Sequence, residues 1–295
     1  MITKIQDIDE HDFIIKWRLT DKCNYQCSYC LRRKNANDLE LTDEELLQTA
    51  ELINNLCKDK NAKVDLIGGE PSLLNLSEIC SKLTDAQTIH ITTNLSQPAE
   101  YYRQVASSCN RLIMTASFHE EYADFDEFFG KIAELSEIKI CLEMVSTESN
   151  SEIVEKFISK CEENGYTYMV ENDLRFVQQN IKKSNKNEYR YRVYFDDGTE
   201  KLYKTRNELL TDETTGINYQ CKAITPKEMY CTNSYDYVYV NRNIVHGRSN
   251  SESRCSVKIP LAEFNLLEKP AKCHCTGSQY CTLCGHVSLY REYEG

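Results

Sequence analysis

The sequence is poor in the residues that interrupt regular structure. It carries 10 glycines and 5 prolines in 295 residues, too few for a collagen-like chain or a proline-rich linker. It has no run of about 18 apolar residues, so no membrane span is expected. Its first residues, MITKIQDIDEHDF, lack the apolar stretch of a secretion signal. Positive charge is also short: 35 Lys and Arg face 46 Asp and Glu, leaving a net charge of −11. An acidic surface repels phosphate backbones, so general nucleic-acid binding is not expected. The locally basic stretch IKKSNKNEYRYR reads as a solvated charged loop. With 41% hydrophobic and 27% charged residues, the chain is an ordinary globular one. It is long enough to bury a core as one large domain or two small ones.

What the sequence has in excess is cysteine, 15 in all. Without a secretion signal the expected location is cytoplasmic, a reducing compartment where disulfides are disfavoured. Clustered cysteines there read as metal or iron–sulfur ligands, or as catalytic thiols. Cys57, Cys80, Cys109, Cys141 and Cys161 stand singly inside apolar patterns such as ELINNLCK and IKICLEMV. These are expected to be small buried hydrophobes. Two groups remain: Cys23, Cys27 and Cys30 near the start, and Cys221, Cys231, Cys255, Cys273, Cys275, Cys281 and Cys284 near the end.

The first part alternates strand and helix. Strands are expected at 13–19, 63–67, 88–93, 111–117, 138–145 and 166–171. Thr42-Asp43-Glu44-Glu45 is a capping box that opens a helix to about residue 58. Leu46, Leu47, Ala50, Ile53 and Leu56 form its expected apolar stripe. Pro98 suits the first turn of a helix over 98–108. Phe125, Phe128, Phe129 and Ile132 make another stripe, and Asn150 is expected to cap a helix that ends before Gly165. Six such repeats imply parallel strands with right-handed crossovers. The expected fold is α/β, a partial (β/α)6 TIM-like barrel over residues 1–180. Ligands then belong at the carboxyl ends of the strands, which places 20–36, 68–74, 93–96 and 117–122 on one rim. Residues 181–295 are expected to form a smaller cysteine-rich domain with hairpins, in RYRVYFDDGTEKLYKT around Asp197-Gly198 and in SYDYVYVNRNIVHG around Asn241–Asn243.

Cys23-Asn-Tyr-Gln-Cys27-Ser-Tyr-Cys30 follows the first strand directly as C-x3-C-x2-C. Zinc normally takes a fourth ligand, and no His or Cys follows closely. Three thiolates on a [4Fe–4S] cluster leave one iron open. With Gly68-Gly69-Glu70-Pro71 after the second strand and Thr92-Thr93-Asn94 at the third, the chain resembles the radical S-adenosylmethionine (SAM) enzymes over residues 13–180. The resemblance implies that Cys23, Cys27 and Cys30 hold the cluster, with Tyr29 as the aromatic residue before the third cysteine. It implies SAM contacts at Gly68, Gly69, Glu70, Pro71, Thr93 and Asn94. In that family SAM chelates the open iron, and its reductive cleavage gives a 5′-deoxyadenosyl radical that abstracts hydrogen from the substrate. Many relatives carry Ser-x-Asp at the end of strand four, near the SAM ribose. Here Ser117 keeps its place and His119 replaces the acid. His119 is a candidate ribose or substrate contact, and Arg175 could pair the SAM carboxylate.

Cys231 and Cys255 flank a hairpin, and Cys273, Cys275, Cys281 and Cys284 form C-x-C-x5-C-x2-C. This resembles the SPASM and twitch extensions of radical SAM enzymes, which implies at least one auxiliary [4Fe–4S] cluster. The spacings depart from the usual pattern, so two ligand schemes stay open. One cluster would use Cys231, Cys255 and two of the last four cysteines. Two clusters would divide Cys221, Cys231, Cys255 and Cys284 from Cys273, Cys275 and Cys281. A zinc knuckle is the competing reading of the tail. Cys221, if free, is a candidate hydrogen donor to a substrate radical. The leading expectation is an enzyme that modifies a peptide by crosslinking, oxidation or epimerisation, reduced by a flavodoxin or ferredoxin. The alternatives are oxidation or rearrangement of a small metabolite and, outside enzymes, an Fe–S or zinc-binding module.

Overall fold

The computed structural model describes residues 2–30, 40–172, 183–185, 190–204, 208–209, 212, 230–251, 257–272 and 289–290. The chain divides into two compact units, residues 17–186 and residues 1–16 with 187–295. The sequence-based boundary at residue 180 placed residues 1–16 with the barrel; in the structure they join the second unit.

The elements follow in chain order. β1 (Ile2–Asp7) opens the chain, and β2 (Phe13–Thr20) runs across the division between the units. The first unit continues with α1 (Asp43–Cys57), β3 (Ala62–Gly68), α2 (Leu76–Ser81), β4 (Thr88–Thr93) and α3 (Ala99–Ser107). It ends with β5 (Leu112–Phe118), α4 (Phe125–Glu134), β6 (Lys139–Ser146), α5 (Ser151–Glu163), β7 (Thr167–Asn172) and the short β8 (Lys183–Ser184). All six expected strands are present, each within one residue of its expected ends. Strands β3 to β7 pair in sequence order and in parallel, and β8 adds an antiparallel edge. Among the described residues the order β2 to β8 is linear and does not close on itself. The fold of this unit is therefore α/β, built on a large parallel sheet.

Alternation along the strands gives the sheet two unlike faces. Leu66, Ile91, Met114, Ala116, Leu142 and Met144 are at most 2% exposed. Phe118 on the same side meets Phe125, Phe128 and Phe157 of α4 and α5, at centroid distances of 5.5, 5.2 and 6.1 Å. The intervening residues Thr92, Ile113, Thr115, Cys141, Glu143 and Met169 stay half-buried. Parallel sheets normally bury both faces in apolar packing. This second face departs from that pattern, being half-open and carrying Thr92, Thr115 and Glu143 among its apolar residues.

Local chemistry explains the helices and corrects three details. Thr42 and Glu45 form the expected capping box: Glu45 N donates to Thr42 Oγ1 at 3.3 Å, and Thr42 N to Glu45 Oε2 at 2.8 Å. The buried stripe of α1 is Leu46, Thr49, Ala50, Ile53 and Cys57, while Leu47 and Leu56 lie at its margin, half-exposed. Pro98 is the extended residue before α3, at φ −60° and ψ 153°, not its first helical residue. Asn150 does precede α5, but its side chain turns back, accepting from Thr147 N at 2.8 Å and donating to Val145 O at 3.0 Å. The six-residue α2 was not expected.

The second unit holds β9 (Tyr191–Phe195), β10 (Glu200–Tyr203), β11 (Tyr230–Cys231), β12 (Tyr237–Asn241), β13 (Ile244–Gly247), β14 (Val257–Pro260), β15 (Ala271–Lys272) and β16 (Leu289–Tyr290). One sheet runs in the order β10-β9-β1-β16-β11-β15. β1 lies antiparallel between β9 and β16, so strands from both ends of the chain share a sheet. Both expected hairpins are present. β9–β10 turns through Gly198 at φ +80°, with Thr199 N and Oγ1 donating to Asp197 Oδ1 at 2.9 and 2.6 Å. β12–β13 turns through Arg242 at φ +56°.

Candidate functional site

The cysteine loop leaves the end of β2 and is locked to the β3 rim by backbone contact. Gly69 N donates to Thr20 O and Glu70 N to Lys22 O, both at 2.8 Å. A Cβ on Gly68 would stand 2.6 Å from Thr20 O, and one on Gly69 would overlap the Lys22 carbonyl. The two glycines thus allow a close backbone approach, but the approach observed is to the cysteine loop. Glu40 fastens the same corner, accepting from Thr20 Oγ1 at 2.6 Å and Asp21 N at 3.0 Å.

Glu70 is 1% exposed, and its carboxylate ties two rim loops together. It accepts from Ser72 N at 2.9 Å, Thr93 Oγ1 at 2.7 Å and Asn94 N at 2.6 Å. Burial raises its carboxyl above the ordinary carboxylate value, against the pull of those hydrogen bonds. Pro71 begins a 3-10 turn, Pro71–Leu73, behind it. Thr93 Oγ1 also meets Tyr102 OH at 3.1 Å. Asn94 Nδ2 donates to Asn24 Oδ1, inside the cysteine motif, at 2.8 Å. The three expected rim motifs are therefore joined by hydrogen bonds.

Within the loop Cys23 and Cys30 are exposed and Cys27 is 5% exposed. Cys30 N donates to Cys27 O at 3.1 Å, and Tyr25 N to Cys23 Sγ at 3.3 Å. The segment after β5 grips the loop from the other side. Glu121 accepts from Ser28 N at 3.0 Å and Ser28 Oγ at 2.7 Å. Tyr122 stacks on Tyr25 with centroids 5.0 Å apart. His119 Nδ1 lies 2.6 Å from Tyr29 OH and 3.5 Å from Cys27 Sγ. Burial pushes the Cys27 thiol up to about 11, with a hydrogen bond from Tyr29 opposing. Burial pushes His119 down to about 4 and raises Tyr29.

Ser117 Oγ donates to Glu143 Oε2 at 3.0 Å on the half-open face of the sheet. On that face His90 also bridges Asp65 Oδ1 at 3.1 Å and Thr115 Oγ1 at 3.0 Å. Sequence reasoning missed Asn24, Glu40, Glu121 and Glu143. Asn24 lies inside the cysteine motif and Glu121 two residues beyond His119, so proximity in sequence marked both. Glu40 and Glu143 carried no local signal.

Cys231 is 3% exposed in β11, with Asn233 N donating to its sulfur at 3.5 Å. Arg175, Cys221, Cys255, Cys273, Cys275, Cys281 and Cys284 lie outside the described residues. Of the scattered cysteines, Cys57, Cys80 and Cys161 are at most 1% exposed, as expected, while Cys109 and Cys141 are half-buried.

The donor set, three thiols on one short loop, is of the type that ligates a [4Fe–4S] cluster, each thiolate holding one iron. Among the described residues no three Cys, His, Asp or Glu side chains are grouped to hold a single ion. No helix among the described residues is long and apolar enough to cross a membrane.

Residues 17–98 match the family model of the 4Fe-4S single cluster domain, a span that contains the triplet and both rim motifs. Among curated proteins none matches the chain significantly. Solved structures overlap it in part. Streptococcus suis SuiB bound to precursor peptide SuiA is 16% identical over 79% of this chain and 58% of its own, with a TM-score of 0.48. Native anSMEcpe with bound AdoMet and Cp18Cys peptide is 17% identical over 55% of this chain and 51% of its own, with a TM-score of 0.43. BtrN in complex with AdoMet and 2-DOIA is 15% identical over 57% of this chain and 72% of its own, with a TM-score of 0.38. The match to anSMEcpe thus spans about half of that protein's length.

Proposed function

We propose that the chain is a radical SAM enzyme. One observation carries the reading. The C-x3-C-x2-C loop lies in a segment matching a 4Fe-4S domain and is hydrogen-bonded to the two other motif loops, through Glu70 N to Lys22 O and Asn94 Nδ2 to Asn24 Oδ1. Cys23, Cys27 and Cys30 hold the cluster, whose open iron supplies reductive cleavage of SAM. The rim residues Gly68, Gly69, Glu70, Pro71, Thr93 and Asn94 shape the SAM site, with Ser117 and Arg175 beside it. Glu70 acts there by fixing the loops, because its carboxylate is spent on Ser72, Thr93 and Asn94. The polar face of the sheet receives the substrate.

The unit of residues 17–186 carries this chemistry, and the second unit carries auxiliary iron on Cys231 and the cysteines beyond it. The substrate is a peptide, the electron donor is a flavodoxin or ferredoxin, and the enzyme works in the cytoplasm. A small polar metabolite is the second reading, favoured by the Asp65–His90–Thr115 row on the substrate-facing wall. The test is anaerobic incubation with SAM and reductant. The wild-type chain should form 5′-deoxyadenosine. The chain with Cys23→Ala, Cys27→Ala and Cys30→Ala should form none, and continued cleavage by it would sink the assignment.

A further inference from the structure

His119 stands where the resembling family places an acid, yet it faces the cysteine loop. Its ring stacks on Tyr29 with centroids 6.0 Å apart at 19°, and Tyr25 meets it edge-on at 5.8 Å and 82°. Held by two aromatic rings, the imidazole presents Nδ1 to both Tyr29 OH, at 2.6 Å, and Cys27 Sγ, at 3.5 Å. The Tyr29 hydroxyl, 2.6 Å from Nδ1, fixes the imidazole beside that sulfur. Cys27 is the cysteine of the triplet that water reaches least, at 5% exposure, while Cys23 and Cys30 are exposed. A sulfur shut away from water must find its donors in the protein.

We propose that His119, held in place by Tyr29, is a positioning residue that supplies a hydrogen bond to Cys27 and thereby raises the reduction potential of the triplet cluster. This rests on the reading of the triplet as a cluster site. As a free thiol Cys27 can donate its own proton. As a ligand it has lost that proton to solvent and can only accept. The imidazole then carries its proton on Nδ1, which lies within reach of both the Tyr29 oxygen and the sulfur. Reduction adds one electron to the cluster, and donors aimed at a ligating sulfur stabilise the added charge.

The test uses the full chain, reconstituted anaerobically, with iron and acid-labile sulfide counted. The triplet signal is defined as the one lost in the Cys23→Ala, Cys27→Ala, Cys30→Ala chain. Its midpoint potential is read by redox titration monitored by electron paramagnetic resonance. Tyr29→Phe and His119→Phe should each lower the equilibrium constant for reduction about tenfold, a shift of about 59 mV to more negative potential for one electron. His119→Asn places an amide donor near the Nδ1 position and should recover most of the loss. Tyr29→Phe keeps the ring and serves as the readout should His119→Phe not load iron. Loaded variants with wild-type potential overturn the inference alone. A wild-type chain that takes no iron at the triplet overturns both the inference and the cluster reading.

Discussion

Gly69 and Glu70 show how differently two neighbours in one motif can act. A methyl group on Gly69 would overlap the Lys22 carbonyl, and the backbone of the cysteine loop cannot yield without losing the bonds at Thr20 and Lys22. Gly69→Ala should therefore cost about 1–3 kcal/mol and lower iron uptake at the triplet. Urea denaturation with iron analysis measures both, and a variant with wild-type stability would remove this role. Glu70 is a buried acceptor between two backbone N–H groups and a hydroxyl. Glu70→Gln sets its amide N–H against one of the two backbone N–H groups whichever way it turns, a cost of about 1–3 kcal/mol. Its pH signature is separate. Burial raises the carboxyl, so the folded chain holds this proton more tightly than the unfolded one. Its contribution to stability is then highest below the ordinary carboxylate value and falls as pH rises through the raised one. The variant should lose that slope; an unchanged slope would show that another group sets it. The motif residues themselves were legible because their types are rare in such order. What they touch was not legible, since Glu40 and Glu143 meet the site only through folding.

At the scale of elements, periodicity carried most of the information. Buried strands bounded by turn residues, and helices with a capping box or a phenylalanine stripe, are local signals, so all six expected strands and four of the five helices described within residues 17–186 were readable. Helix α2 was not, because six residues hold too few turns to show a period. The two-residue strands β8, β11, β15 and β16 are defined by their partners and have no pattern of their own. Phe157 tests the helix-side core. It is 0% exposed and packs on Phe118, Phe129 and Tyr168 at 6.1, 5.8 and 6.5 Å. Phe157→Ala should cost about 3–5 kcal/mol by chemical denaturation. The cysteine loop is fixed by separate contacts, so iron uptake per folded chain should stay unchanged. Loss of uptake in proportion to stability would show that the loop depends on this core.

At the scale of the whole molecule, the sheet shared by β1, β9 and β16 governs how the cysteine-rich tail should be tested. Nothing local marked Ile2–Asp7 as a strand of the second unit, because its partners lie near the other end of the sequence. Truncation after residue 215 would strip β16 from β1 and take β11 and β15 with it, so lost iron would not separate missing ligands from a broken sheet. Replacing Cys273, Cys275, Cys281 and Cys284 by Ser keeps the backbone and removes only the thiols. A cubane holds four irons. The wild-type chain should therefore carry about eight irons with one auxiliary cluster and about twelve with two, with equal sulfide. The fourfold variant should fall toward about four, leaving the triplet full. A zinc knuckle would instead show about four irons and one zinc in the wild type. The peptide reading depends on the same measurement. A wild-type chain with a full triplet and no further iron would remove the auxiliary clusters. The substrate argument would then rest on the sheet wall alone, where Asp65, His90 and Thr115 suit a small polar molecule as well as a peptide.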